Sequence, residues 1–298
     1  MKALIIILAI AGVLQTPKTP QSVVDELLAA DRGFAAEASN TTVVPALSAM
    51  FAEDVALLVG VPAPGFARGK AKAIEALKAN PDNAQGRVEW APVRGGVSAD
   101  GQHGFTVGYM TLTRGDASKV PIKYVAFWTK KPEGWRVAVY KRVSAEQSPA
   151  ARDMMPPSLP SQLVAPTTDT ATVARHKASL EAAERAFSDE AQKIGLGPAF
   201  AKHGRADAVN VGPRSSPTFV VSAAEIGKSI GAGVPAPTSP LRWAPDEGSI
   251  VASSGDLGVT FGFIRQNTPP PPGQPEGAPF ITVWRRESPA APWKYIAE

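Results

Sequence analysis

From residue 23 onward, apolar side chains return every three or four positions. Val24, Leu27, Leu28, Phe34 and Ala35 form one stripe across 23–38, which predicts an amphipathic helix. Residues 179–191 repeat the stripe with Leu180, Ala183 and Phe187. A second helical stretch covers 43–51, a short strand 55–59 and a short helix 71–77. Beyond residue 86 the period shortens to two. Segments 87–92, 96–99, 105–113, 124–130 and 135–141 read as successive strands, with turns at Asp100-Gly101 and Pro132-Glu133-Gly134 closing hairpins. Helices followed by a meander of strands predict an α+β fold, with the helices packed on one face of a curved antiparallel sheet.

The whole pattern is written twice. Ala30-Asp31-Arg32-Gly33-Phe34 returns as Ala183-Glu184-Arg185-Ala186-Phe187, and Trp90-Ala91-Pro92 as Trp243-Ala244-Pro245, both 153 positions on. Residues 104–109 return at 258–263, Trp128 at Trp284 and Trp135 at Trp293. The spacing widens to 158 across the Pro- and Gly-rich segments 269–277 and 288–292, where loops take insertions. Such a period is too long for a solenoid and marks a duplicated domain. The expected division is a first domain at 21–143, a linker at 144–172 rich in Pro, Ser, Thr and Ala, and a second domain at 173–298. A length of 298 residues agrees with two domains. The copies are expected to pair sheet to sheet, either as an internal pseudo-dimer or in a homodimer.

The remaining features narrow the class. Met1-Lys2 precedes an apolar run at 3–14, too short for the about 20 residues of a membrane-spanning helix and suited to a secretory signal. Pro17 and Pro20 break the run. Residues 1–20 therefore read as a signal peptide with its cleavage position open, and the protein as secreted or periplasmic, with no membrane span. The absence of cysteine excludes disulfides, a thiolate nucleophile and thiolate-held metals. A net charge of +4 without any basic run gives no nucleic-acid footprint. His103, His176 and His203 have no second ligand at metal spacing, so neither a metal nor a cofactor is implied. Gly227-Lys228-Ser229-Ile230-Gly231 spells G-x-S-x-G, but helical residues precede it where a nucleophile elbow needs a strand.

The first-helix Ala-acid-Arg-x-Phe, Ala52-Glu53-Asp54-Val55, Gly69-Lys70 and the closing Tyr124-Val125-Ala126-Phe127-Trp128 with Gly134-Trp135-Arg136-Val137 together resemble the NTF2-like superfamily, which includes SnoaL-like and ketosteroid-isomerase-like domains. The resemblance covers both copies. It implies a cone whose sheet wraps an apolar pocket beneath the helices, and dimerisation through the sheet. The second copy departs from it, with Val221-Ser222 for Gly69-Lys70 and fewer large apolar residues after Asp207, which predicts a reduced or lost pocket there.

The candidate ligand-binding residues accordingly lie in the first cone: Asp31, Phe34, Trp90, Tyr109 and Trp128. Asp31 sits on the packed helix stripe, so its carboxyl is either a desolvated base or a buried tie accepting from an indole or Arg. Tyr109 shares a strand face with Phe105 and Val107. The expected function is an exported, non-catalytic protein that binds a small apolar or amphipathic molecule in the first cone or acts as an interaction scaffold. The alternative is an isomerase, cyclase or hydratase with Asp31 as base and Tyr109 as electrophilic donor.

Overall fold

The computed structural model describes residues 18–60 and 64–298, so the apolar run at 3–14 lies outside the described residues. Helix α1, Pro20–Ala38, starts where local chemistry favours it. Thr19 caps it, accepting from the Ser22 amide at 3.1 Å, while Ser22 Oγ accepts from the Thr19 amide at 2.9 Å and Pro20 holds the first helical position.

The first repeat continues with α2 Val43–Met50, β1 Phe51–Val59, β2 Gly65–Arg68, α3 Lys70–Ala79, α4 Pro81–Gln85, β3 Arg87–Val97, β4 His103–Thr113, β5 Lys119–Lys131 and β6 Gly134–Ser144. The second contains α5 Thr170–Ile194, α6 Leu196–His203, β7 Gly204–Asn210, β8 Val220–Val221, α7 Ala223–Gly233, β9 Leu241–Val251, β10 Leu257–Gln266, β11 Ala278–Arg285 and β12 Lys294–Ala297. The sheet orders, β2-β1-β6-β5-β4-β3 and β8-β7-β12-β11-β10-β9, are the same topology twice. All strand pairs are antiparallel except β1 with β6 and β12 with β7. The chain is thus a tandem α+β duplication, each sheet carrying its helices on one face.

Several boundaries differ from the sequence reading. Strand β3 runs unbroken through a bulge between Pro92 and Arg94, where two strands were expected. Helix α5 begins at Thr170, inside the expected linker. The G-x-S-x-G segment lies wholly within α7. Ser222, rather than Val221, stands where the first repeat has Gly69. The Gly69 amide donates to Val55 O and the Ser222 amide to Ala208 O, and both residues have positive φ, 86° and 80°.

Both faces of each sheet are buried. Along β4, Thr106, Met110 and Leu112 turn toward the helices, while Phe105, Val107 and Tyr109 meet the other repeat. A middle layer of Val107, Val125, Phe127 and Val139 against Val259, Phe261, Ile281 and Val283 joins the two sheets face to face. Each such side chain contributes about 1.5–3 kcal/mol by leaving water. Polar contacts rim this layer. Arg94 Nη2 donates to Asp207 Oδ2 at 2.6 Å, Ser253 Oγ to Asp100 Oδ2 at 2.8 Å, and Arg285 Nη2 to Val97 O at 2.6 Å.

The segment between the repeats is not a free tether. It lies along the edge of β3: the Met155 amide donates to Val93 O at 2.7 Å, Ser158 N to Gly95 O at 2.9 Å and Val97 N to Ser158 O at 3.2 Å. Among the described residues no helix is long and apolar enough to cross a membrane.

Candidate functional site

Asp31 projects from α1 into the first cone, is fully buried, and is surrounded by donors. Trp90 Nε1 reaches Asp31 Oδ1 at 2.7 Å and Tyr124 Oη reaches Oδ2 at 3.0 Å. Burial raises its pKa against the pull of these hydrogen bonds. Glu184 repeats the arrangement with one more methylene. It accepts from Trp243 Nε1 at 2.6 Å, Thr260 Oγ1 at 2.5 Å and Trp284 Nε1 at 2.9 Å, and burial raises its pKa too. The extra reach matters because Phe280 stands where Tyr124 stands in the first repeat: each faces a glycine across the adjacent strand pair, Gly262 and Gly108. Without the phenol, the longer acid finds its second indole and a threonine. Both carboxyls therefore tie a helix to its sheet, and their oxygens are occupied by protein donors.

Four of the five residues expected to form a site do meet in the first cone. Asp31 and Trp90 are bonded, and Phe34 stacks on the fully buried Trp128 with centroids 6.2 Å apart. They meet as packed core. Tyr109 is on the opposite face of the sheet, its ring 5.1 Å from Phe219 and its hydroxyl accepting from the Phe219 amide at 3.3 Å. The sheet itself separates Asp31 from Tyr109, so the base-and-donor pair of the enzyme reading does not share a site.

The interiors of the two cones differ. Leu57, Tyr124, Tyr140, Phe51, Met50 and Leu77 fill the first, and α4 packs across α2 and α3, with Asn83 Nδ2 donating to Leu77 O at 2.6 Å. The second repeat has no helix at 234–240, the matching point, and its cone holds a cavity of about 270 Å³. Phe187, Phe200, Trp243 and Phe280 supply aromatic walls, and Ile230 and Val234 of α7 close one side. The expectation was a reduced or lost pocket in the second copy; this cavity lies in that copy's cone.

Polar groups enter this cavity at positions held by Leu57, Ala126 and Tyr140 in the first repeat. Asn210 replaces Leu57, Thr282 replaces Ala126 and Glu298 replaces Tyr140. The pairing fixes these equivalences, because Leu57 faces Tyr140 across β1 and β6 just as Val209 faces Ala297 one step earlier across β7 and β12. Asn210 Nδ2 donates to Glu298 Oε2 at 3.0 Å. Burial and the nearby Glu184 push the Glu298 carboxyl up to about 8, while Lys141 and Asn210 pull it down.

Lys141 comes from the other repeat. It lies on β6 opposite Val125, on the side shared with Val139 that faces the second domain, and it lines the cavity. Burial lowers its pKa and Glu298 holds it up. Among the described residues no carboxylate lies within ion-pair distance, 4.0 Å, of its ammonium. Sequence reasoning missed Lys141, Asn210 and Glu298. The signal for the last two was present: laying the copies over one another residue by residue shows polar side chains replacing apolar ones inside only the second cone.

No family model matches the chain, and no curated protein matches it. Solved structures are similar to it over lengths close to one repeat. A ketosteroid isomerase-like protein from Erwinia carotovora atroseptica is 18% identical over 42% of this chain and 97% of its own, with a TM-score of 0.32. An NTF-2 like protein of unknown function from Shewanella oneidensis is 17% identical over 40% of this chain and 96% of its own, TM-score 0.33. An NTF2-like protein with a cystatin-like fold from Novosphingobium aromaticivorans is 20% identical over 43% of this chain and 85% of its own, TM-score 0.30.

Proposed function

We propose that the protein is an exported, non-catalytic binder of a small amphipathic molecule, held in the cone of the second repeat. The observation that carries this reading is the cavity of about 270 Å³, walled by aromatic and aliphatic side chains and carrying a few convergent polar groups. That composition suits a molecule with an apolar body and one polar end. Asn210, Thr282 and Glu298 are costly inside a cone that the first repeat fills with apolar groups, and a cost borne in one copy only marks a site with a task. The first repeat, whose core includes Leu57, Tyr124 and Tyr140, serves as support.

Native mass spectrometry of protein purified from its own host tests the reading. A co-purifying small molecule is expected, absent from Ile230→Trp, which fills the cavity. In parallel, 1-octanol is expected to shift the Trp243 indole N–H resonance. A clean apo mass together with an unmoved Trp243 resonance would overturn it. Export is tested by N-terminal sequencing of protein recovered from periplasm or medium. A mature terminus beyond the apolar run 3–14 is expected, and an intact Met1 would remove that part of the proposal.

A further inference from the structure

The second repeat does not supply its whole site. Among the described residues lining the cavity, the one basic side chain, Lys141, belongs to the first repeat. Its position follows from the fold: β6 places Lys141 on the same side as Val139, and that side is the one pressed against the second sheet. The first repeat's own cone gains nothing from it. Its stem spans apolar surroundings, as a long lysine side chain can, but its ammonium has no carboxylate at ion-pair distance among the described residues. Asn210, which could otherwise satisfy a cation through its carbonyl oxygen, has that oxygen taken by the Gly212 amide at 2.7 Å.

The two acids near it make no ion pair with it at 4.0 Å or less. Glu184 is occupied by two indoles and Thr260. Glu298 is bonded by Asn210, and the burial that pushes its carboxyl up to about 8 also lowers the Lys141 ammonium. The polar end of the cavity thus offers a lysine ammonium with no carboxylate at ion-pair distance among the described residues, beside Asn210, Thr282 and Glu298 and next to aromatic and aliphatic walls.

We propose that the ligand is a small amphipathic carboxylic acid, whose carboxylate is received by Lys141 from the first repeat while its apolar body lies against Phe187, Phe200, Ile230 and Phe280. This rests on the ligand-binding reading above and adds the chemical class and the residue that selects it. Size follows from volume. A cavity of about 270 Å³ admits a medium-chain acid such as octanoate. Sharing the site between repeats also makes the pairing of the two sheets a condition for binding.

The test compares octanoate, 1-octanol and octylamine by calorimetric titration of the full chain, wild type and Lys141→Met, with thermal melts to confirm folding. Octanoate is expected to bind about tenfold or more tightly than 1-octanol, as a charge-assisted hydrogen bond in an apolar setting implies. Lys141→Met is expected to bring the ratio of octanoate to 1-octanol affinity down to about one, and Lys141→Arg to keep most of the preference. If octanoate and 1-octanol bind wild type equally, or octylamine binds best, the acid inference fails and the cavity reading stands. Should none of the three bind, the cavity reading fails and the acid inference with it.

Discussion

The two cones share a topology, a buried carboxyl tied to an indole, and a face pressed against the other repeat, yet the second carries a cavity with polar lining at positions where the first has Leu57, Ala126 and Tyr140. The first spends its interior on Tyr124, Tyr140, Phe51 and Leu57, and α4 packs across its helices. The second opens a cavity and admits Asn210, Thr282 and Glu298. Duplication makes this division workable, because the filled cone and the middle layer supply apolar burial that a hollow, polar-lined cone gives up. A single domain has to meet both demands with one core.

The largest effect that bears on this comparison comes from the shared carboxyl. Asp31→Ala leaves Trp90 Nε1 and Tyr124 Oη buried without an acceptor, and at about 1–3 kcal/mol for each such group urea unfolding is expected to show a loss of about 4 kcal/mol. A loss under about 1 kcal/mol would mean that the acid does not tie helix to sheet. Next, Leu77 and Ile230 occupy matching places on α3 and α7. Leu77→Ala is expected to cost about 3 kcal/mol, whereas Ile230→Ala, already bordering empty space, costs about 1 kcal/mol; equal losses would erase the difference between the cones.

A third prediction turns on pH. The folded-state pKa of Glu298 is raised from 4.5 to about 8, so its contribution to stability is fully present below about pH 4.5 and is lost as pH rises through about 8. Wild type is expected to lose stability across that window, and Glu298→Gln to flatten the slope by at least the about 1.4 kcal/mol that one pKa unit represents. A slope identical in variant and wild type would place the ionised acid in water in both states. The smallest effect is local: Ser222 holds the positive φ that Gly69 holds in the first repeat. Ser222→Gly is expected to stabilise the chain by about 1 kcal/mol from relieved strain, less a few tenths for the lost cap to the Glu225 amide.

Much of the fold was legible because it rests on local periodicity. The stripe through Val24, Leu27 and Asp31 placed α1, the repeat offsets located the duplication, and alternation put Phe105, Val107 and Tyr109 on one face. Alternation does not say which face. In a sheet buried on both sides, Tyr109 and Thr106 are equally enclosed, and only packing of the second repeat decides that the phenol points away from Asp31. The bulge at Pro92 and Arg94 hid the continuity of β3, since it shifts the period without ending the strand. The site was unreadable for a related reason. A cavity is space left by side chains that are absent, and Lys141 lines it from the other repeat, a placement that periodicity within either copy does not reveal.

The strand-like path of the segment between the repeats has a consequence for assembly. Pairing of its Met155 and Ser158 amides with Val93 and Gly95 occupies the outer edge of β3 along its C-terminal half, while β9, the matching edge of the second sheet, carries no such strap among the described residues. The opposite margins, β2 and β8, are only four and two residues long. A sheet with two usable long edges can add copies of itself without end, as fibres do. With the C-terminal half of β3 covered, β9 is the long edge without such a strap among the described residues, and strand-to-strand pairing through it joins two copies.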